Sequence, residues 1–364
     1  MSDTSLPKIG KISPEIFDEI IYPRLGFKNE NIIVGPRHGV DFGVVDLGEQ
    51  VMILTTDPVF IVPEYGWERS AWFAVHILAS DEAVSGIKPT YMSIDLNLPM
   101  EMTKEQLKKV WTIMNEECVK LGIAVVCGHT GRYTGCNYPM VGGATVIGIG
   151  PKDGYVTPEM AKPGDKVIIT KGPAIETTGI FATLFPEILE ERFGKAFTDR
   201  AKDVFWMQSV VKDALISAGV GVRDKGVTAM HDATECGIWG GLYEISQASK
   251  VGMIIHQDDI ILLEEVRLVC EYFSELTGVD VDPFKAISEG TLLLTAKPEK
   301  AEEIVTVLKS EKIPASIVGD VVPEEEGIIV FKGDSEEMKL THPREDPFWP
   351  AFYKTLEIIE ERSK

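Results

Sequence analysis

The chain has 364 residues, 44% of them apolar and 26% charged, with a formal net charge of −21 at neutral pH and five cysteines. Such a length points to two domains rather than one core, and an acidic balance of this size weighs against nucleic acid or an anionic membrane as partner, since both reward a basic face. No apolar run approaches a membrane span, and scattered cysteines without a CxxC pair argue against a disulfide framework or a zinc knuckle.

In chain order, the opening MSDTSLPKIGK lacks the basic and apolar regions of a secretory leader, which makes the cytoplasm the expected compartment. Residues 12–26 carry the signature of an amphipathic helix, with Ser13 as cap, Pro14 in the first turn and Ile16, Ile20 and Ile21 along one side. DFGVVDLGEQVMILTTD (41–57) reads as two strands joined around Gly48, a hairpin that ends at Asp57. A mostly buried helix follows over 67–85, closed by Gly86, and then a strand over 90–99. Thr103 and Gln106 form a capping box for the next helix, in which Leu107, Val110, Met114, Cys118 and Leu121 keep helical spacing. Strands at 122–128 and 140–150 complete an α+β half, its sheet covered on one face.

Prolines, glycines and charges cluster at 151–165, the expected linker. Beyond it, strands at 166–170, 226–230, 252–256, 291–296, 315–319 and 328–331 alternate with helices near 178–193, 203–218, 238–249, 262–277 and 298–310, an α/β half. A last helix is expected over 348–361. The expected domains are therefore 1–155 and 156–340, with a helical extension over 341–364.

Several segments have the residue types of a site. Asp41, Asp57 and Asp81 stand near element ends in the first half; each alone reads as a cap or turn residue, but three so placed are expected to meet. GPAIETTG (172–179) follows a strand and opens a helix, so Gly172 belongs either to a backbone cradle for an anion or to a plain strand-to-helix turn. GHTG (128–131), with Gly128, His129 and Thr130, carries the same two readings. In MHDATECGIWGG (230–241) a strand ends in His231 and Asp232, Thr234 can cap, and the glycines permit close helix approach, which suits a site or helix packing equally.

Taken together and in order, these blocks resemble the superfamily of aminoimidazole-ribonucleotide (AIR) synthetase, which is PurM-like in fold and includes the hydrogenase-maturation protein HypE, thiamine-monophosphate kinase and selenophosphate synthetase. TTDPVF is similar to the family's TTDS block, AVHILASDEAVSGIKP to AVNxxxNDxAxMGAxP, and VCGHTG to GGDT. HypE is the nearest branch: HDATECGIWGGLYEIS resembles its RDxTRGGLAxxLNEIA, and AISEGTLLLTA its ANEGRxxLAV. The departures are His129 for the Asp of GGDT, His76 for the Asn of AVN, Cys236 for a Gly and Glu235 for an Arg. The terminal cysteine on which HypE carries its substrate group has no counterpart in EIIEERSK, so that carrier chemistry is not expected on this tail.

The resemblance implies an N-terminal domain that dimerises through its sheet, an α/β C-terminal domain beside it, and ATP with magnesium in the cleft. It gives Asp41, Asp57 and Asp81 to the metals, Gly128, His129, Thr130, Gly172, Asp232 and Thr234 to the nucleotide, and Glu289 to the role of base, unless Glu289 is only a turn residue. His129 is there either a nitrogen ligand that loosens magnesium or a turn and phosphate contact. The implied function is an Mg-ATP-dependent enzyme that activates or phosphorylates an oxygen of a small amide-like acceptor. A nucleotide-binding paralogue without turnover, or a scaffold in a maturation or biosynthetic pathway, is the alternative.

Overall fold

The computed structural model describes Ile12, residues 14–333 and residues 336–362. Among these the start is less regular than its periodicity suggests. A single helical turn, α1 (Pro14–Ile16), passes into a π turn (Phe17–Ile21) and a 3-10 turn (Tyr22–Arg24). Ile16 is buried, but Ile20 and Ile21 face solvent, so no apolar stripe holds a longer helix in place. Ser13, the expected cap, lies outside the described residues.

The first sheet runs β1 (Ile32–Val34), β2 (Gly43–Asp46), β3 (Gln50–Phe60), β6 (Met140–Pro151), β4 (Pro89–Leu98), β5 (Ala124–Arg132), antiparallel except for the β4–β5 pair. The β2–β3 hairpin turns at Gly48, whose N–H donates to Asp46 Oδ1 at 2.7 Å. Two helices cover one face: α2 (Trp67–Ala83) and α3 (Lys104–Leu121), the second opened by the Thr103–Gln106 capping box. The side chains of Val51, Ile53, Thr55 and Val59 alternate toward those helices. β5 is an exposed edge, and Val125 and Val126 are open to solvent.

The second sheet has the order β13 (Glu336–Lys339), β12 (Ile328–Lys332), β9 (Val251–His256), β11 (Ala315–Pro323), β7 (Lys166–Thr170), β10 (Thr291–Ala296), β8 (Val227–Ala233). Its strands alternate with helices in sequence yet pair antiparallel, the β12–β9 pair excepted. On one face lies α8 (Gly237–Ser249); on the other lie α7 (Val211–Val220), α10 (Pro298–Ser310) and α2 of the first domain. A third apolar cluster joins α4 (Ile175–Leu184), α5 (Pro186–Phe193), α6 (Lys195–Asp203), α9 (Glu264–Thr277) and α11 (Phe348–Arg362). The single helix expected over 178–193 breaks at Phe185, because Pro186 has no N–H to continue it.

One apolar core runs across the domain boundary. Val75, Leu78 and Ala79 of α2 share a cluster with Met230 of β8, Ala214 of α7 and Leu292 and Leu294 of β10. The stretch expected as a linker is part of this assembly: Tyr155, Val156 and Thr157 are buried, and Val156 donates to Ser85 O at 2.9 Å. Its prolines and glycines mark a change of sheet rather than a free hinge.

Candidate active site

The carboxylates gather where α2 meets the second sheet. Asp57 lies on the helix-covered face of β3, one pleat step beyond Thr55, and Asp81 occupies the last turn of α2 above it. Asp41 sits in the loop before β2. Thr55 Oγ1 stands 2.7 Å from the Asp41 carbonyl and 3.2 Å from Asp81 Oδ2, so this hydroxyl ties loop and helix together. Asp232 ends β8, and Glu289 stands in the turn that enters β10, both fully or almost fully buried.

Their crowding shows at Asp81 and Glu289. Burial first, then the charges of Asp232, Asp57, Asp41 and Glu289, hold the Asp81 carboxyl well above the ordinary range. Glu289 is raised by burial and then by Asp232 and Glu176, against a lowering hydrogen bond from Ser80. A protonated Asp81 can donate to Thr55 Oγ1 while that hydroxyl donates to Asp41 O. Beside them Glu176, whose Oε2 accepts the Glu289 N–H at 3.1 Å, is pushed up to about 8, chiefly by burial. Five carboxyls from two domains, with Glu289 Oε1 buried and without a hydrogen-bond partner, form a donor set that suits a hard divalent cation.

His231, not foreseen as part of this set, lies at its centre. Nδ1 is 2.7 Å from Asp41 Oδ2, and Nε2 is 2.7 Å from Glu244 Oε2 on α8. Burial alone would lower its pKa, but the Asp41 charge and hydrogen bond and the Glu244 hydrogen bond outweigh it and raise the imidazole well above its usual value. The loop that carries Asp41 reaches α8 because Gly39, at φ +69°, has no side chain; a Cβ there would stand 3.0 Å from Glu244 Cβ. The sequence signal was the His-Asp pair at a strand end, together with an acidic residue on the helix that follows.

The remaining candidates fall elsewhere. Ile94 pairs with Gly128 and Ala144 with both Ile94 and Asp57, so Gly128 lies three strands from Asp57, about 14 Å at the usual strand spacing. His129 pairs with Asp95 on the sheet face opposite Asp57, where its Nε2 is 2.8 Å from Tyr133 Oη, and Thr130 turns back toward α3. None of the three meets the carboxylates within one chain. Gly172 does take a left-handed turn, φ +92°, but the helix start behind it is closed by protein groups: Ile175 N–H donates to Ser288 Oγ and Thr177 N–H to Ile287 O. Thr234 does not cap α8. Cys236, at φ +63°, holds that position, and its N–H donates to Asp346 Oδ2 at 2.7 Å. His76 lies apart from the cluster, bonded to Ser209 Oγ and Glu117.

Fold and site define a two-domain protein whose sheets share one helix and close on a carboxylate cluster. The chain belongs to the AIR synthase related proteins: residues 39–150 match the family's N-terminal domain and residues 162–332 its C-terminal domain. It is 25% identical over 326 residues to a putative hydrogenase expression/formation protein of Methanocaldococcus jannaschii, which covers 88% of this chain and 91% of that one. The carbamoyl dehydratase HypE of Rhizobium leguminosarum is 25% identical over 79% of both chains, and a selenide, water dikinase of Caldanaerobacter subterraneus 26% identical over 87% and 93%. Among solved structures, HypE in a HypE–HypF complex superposes with a TM-score of 0.69 at 22% identity, covering 90% of this chain and 98% of that one. HypE in complex with ATP gives 0.62 at 22% identity, covering 90% and 91%. Among the described residues no helix is long and apolar enough to cross a membrane.

Proposed function

We propose that the protein is an Mg-ATP-dependent enzyme, with Asp41, Asp57 and Asp81 holding the divalent ions and Glu289 acting as base toward a small acceptor. The observation that carries this reading is the convergence of Asp41, Asp57, Asp81, Asp232 and Glu289 from both domains, where burial and the charges of Asp232, Asp57, Asp41 and Glu289 raise the proton affinity of Asp81. Carboxylates that repel one another at this cost are stabilised by a cation, and the relatives named as a dehydratase and a dikinase support turnover over binding alone. Bound magnesium would bridge and neutralise the ATP phosphates. Glu289, loaded with a proton when the cluster is bare, becomes a base once cation charge offsets its neighbours.

The acceptor is read as a small molecule with an activatable oxygen, amide-like or related. ADP release in a small-metabolite extract tests the assignment: Glu289→Gln should keep nucleotide affinity and lose turnover by about 100-fold or more. Equal turnover in the variant would remove Glu289 from the chemistry. Binding of ATP without ADP from any extract would favour a non-catalytic nucleotide-binding protein.

A further inference from the structure

Where α2, α3 and the loop that leads into α7 meet, three side chains from the two domains form a relay. His76 Nδ1 is 2.9 Å from Ser209 Oγ, and His76 Nε2 is 3.3 Å from Glu117 Oε2. A hydroxyl, an imidazole and a carboxylate within hydrogen-bond reach, the third orienting the second, make the arrangement that activates a nucleophile. We propose that Ser209 is such a nucleophile and takes a phosphoryl group from the ATP of the neighbouring cleft, with His76 as its base and Glu117 as the residue that positions His76. The donor rests on the Mg-ATP reading above; the activated serine rests on the relay itself.

The protonation states are those that the transfer needs. Burial, which outweighs the pull of Glu117 and is joined by the charges of Lys120 and Lys171, lowers His76, so the ring is neutral at pH 7. Glu117, held ionised by hydrogen bonds from His76 and Lys120, can only accept, which puts the ring's one proton on Nε2. Nδ1 is therefore left to accept from the Ser209 hydroxyl. Both groups are also fixed in place. Trp72 stacks on the imidazole at 4.2 Å, and Lys171 Nζ donates to Ser209 O at 2.7 Å and to Met207 O at 3.2 Å. A nucleophile and base so held need little reorganisation to react.

The serine lies beside the proposed active site. Val210, the next residue, donates its N–H to Ser80 Oγ at 3.1 Å, and Ser80 in turn bonds Glu289. His76 stands one turn of α2 before Ser80, on the same side of the helix. Ser209 is half-buried rather than sealed, which leaves its hydroxyl within reach of a phosphorus electrophile. In the transfer, Ser209 Oγ bonds the γ-phosphorus as the bond from that phosphorus to the bridging oxygen breaks, and ADP leaves with the electron pair. The serine proton goes to His76 Nδ1, and the imidazolium, balanced by Glu117, passes it to solvent. The motif that this part of α2 resembles carries asparagine at the position of His76, and an amide cannot take that proton.

Two labelling measurements on the full-length protein test the inference. Incubation with Mg-ATP radiolabelled at the γ-phosphate, followed by intact mass and peptide mapping, should place a phosphoryl group on Ser209. A fluorophosphonate, a phosphorus electrophile that needs no nucleotide, should label the same hydroxyl. Ser209→Ala should lose both adducts, and His76→Gln, which keeps a polar group between Ser209 and Glu117, should slow both by about 100-fold or more. Glu117→Gln distinguishes positioning from mere packing: with the charge that favours the imidazolium gone, the rise of fluorophosphonate labelling with pH should move to lower pH. Thermal unfolding of the variants shows that each is folded. No fluorophosphonate on Ser209 of the wild type, or equal rates in wild type and His76→Gln, overturns the inference. Mg-ATP calorimetry on the same samples separates it from the magnesium reading: ATP bound with no phosphate on Ser209 sinks this inference alone, whereas fluorophosphonate on Ser209 without ATP binding sinks that reading, and the donor with it, and upholds the activated serine.

Discussion

At the scale of single residues, the protein places charge where burial makes it expensive and then compensates locally. His76 is a case outside the carboxylate cluster: 8% exposed and stacked on Trp72 at 4.2 Å, it lies between Ser209 Oγ at 2.9 Å and Glu117 Oε2 at 3.3 Å. Burial lowers its pKa despite the opposing pull of Glu117, so the neutral ring donates Nε2–H to Glu117 and accepts from Ser209. The hydrogen bond from His76, with a second from Lys120, in turn holds Glu117 below its ordinary value. A His with a depressed pKa binds fewer protons folded than unfolded as pH falls below about 6.5, and a depressed Glu does the same at lower pH, so both contributions are present at neutral pH and lost on acidification. The raised carboxyls of the cluster and His231 act in the opposite sense, so the His76 contribution is read as a difference: the thermal midpoint of the wild type relative to His76→Gln should fall from about pH 7 to about pH 5. A difference between the two proteins that does not change with pH would show that His76 carries none of it. This contact was not legible in sequence, since His76, Glu117 and Ser209 come from two helices and a loop of two domains.

At the scale of elements, the helical extension is anchored by one residue. Asp346 Oδ2 accepts the N–H of Cys236, and Oδ1 accepts those of Ile287 at 3.3 Å and Phe348 at 2.9 Å, tying the start of α11 to the loops around Thr234 and Glu289. Phe348 then stacks on Phe181 at 5.1 Å. Asp346→Ala leaves three N–H groups without an acceptor at roughly 1–3 kcal/mol for each that stays dry. The variant should be clipped by protease near residue 345 far faster than wild type, with a lower thermal midpoint. Equal cleavage rates would mean that the aromatic contacts alone hold the helix. Here the sequence succeeded on what is local: α3 with its capping box, the hairpin at Gly48 and the strand β10 stand as read. It failed where a distant group decides. Thr234 looked like the cap of α8, but Asp346, more than a hundred residues on, takes the N–H of Cys236 instead. The antiparallel pairing of the second sheet was likewise invisible, because periodicity reports which face a strand buries and not the neighbour it pairs with.

At the scale of the whole molecule, one core spans both domains, and an apolar sheet edge is left open to solvent. The first sheet leaves the whole of β5 unpaired at its edge, with Val125, Val126 and Tyr133 open, and its uncovered face carries Tyr91 and Ile149. We propose that this exposed apolar edge pairs with its twin, the assembly that the family resemblance implies. Light scattering at micromolar concentration should give a dimer; a monomer would remove this assignment and leave His129, which faces that edge, without a role in the site. The carboxylate cluster was the most legible part of the site: Asp41 and Asp81 stand near element ends as expected, and although β3 runs on past Asp57 to Phe60, the folding of α2 onto β3 still brings the three together. Its completion by Asp232, Glu289 and His231 needed the second domain. The central claim is that these carboxylates bind ATP through a divalent cation, and calorimetric titration of ATP with and without Mg2+, in wild type and Asp57→Ala, tests it most directly. The account predicts binding that depends on Mg2+ and falls at least about tenfold, or about 1.4 kcal/mol, in the variant. Binding that is absent in the wild type, or equal in both proteins and indifferent to Mg2+, would contradict it.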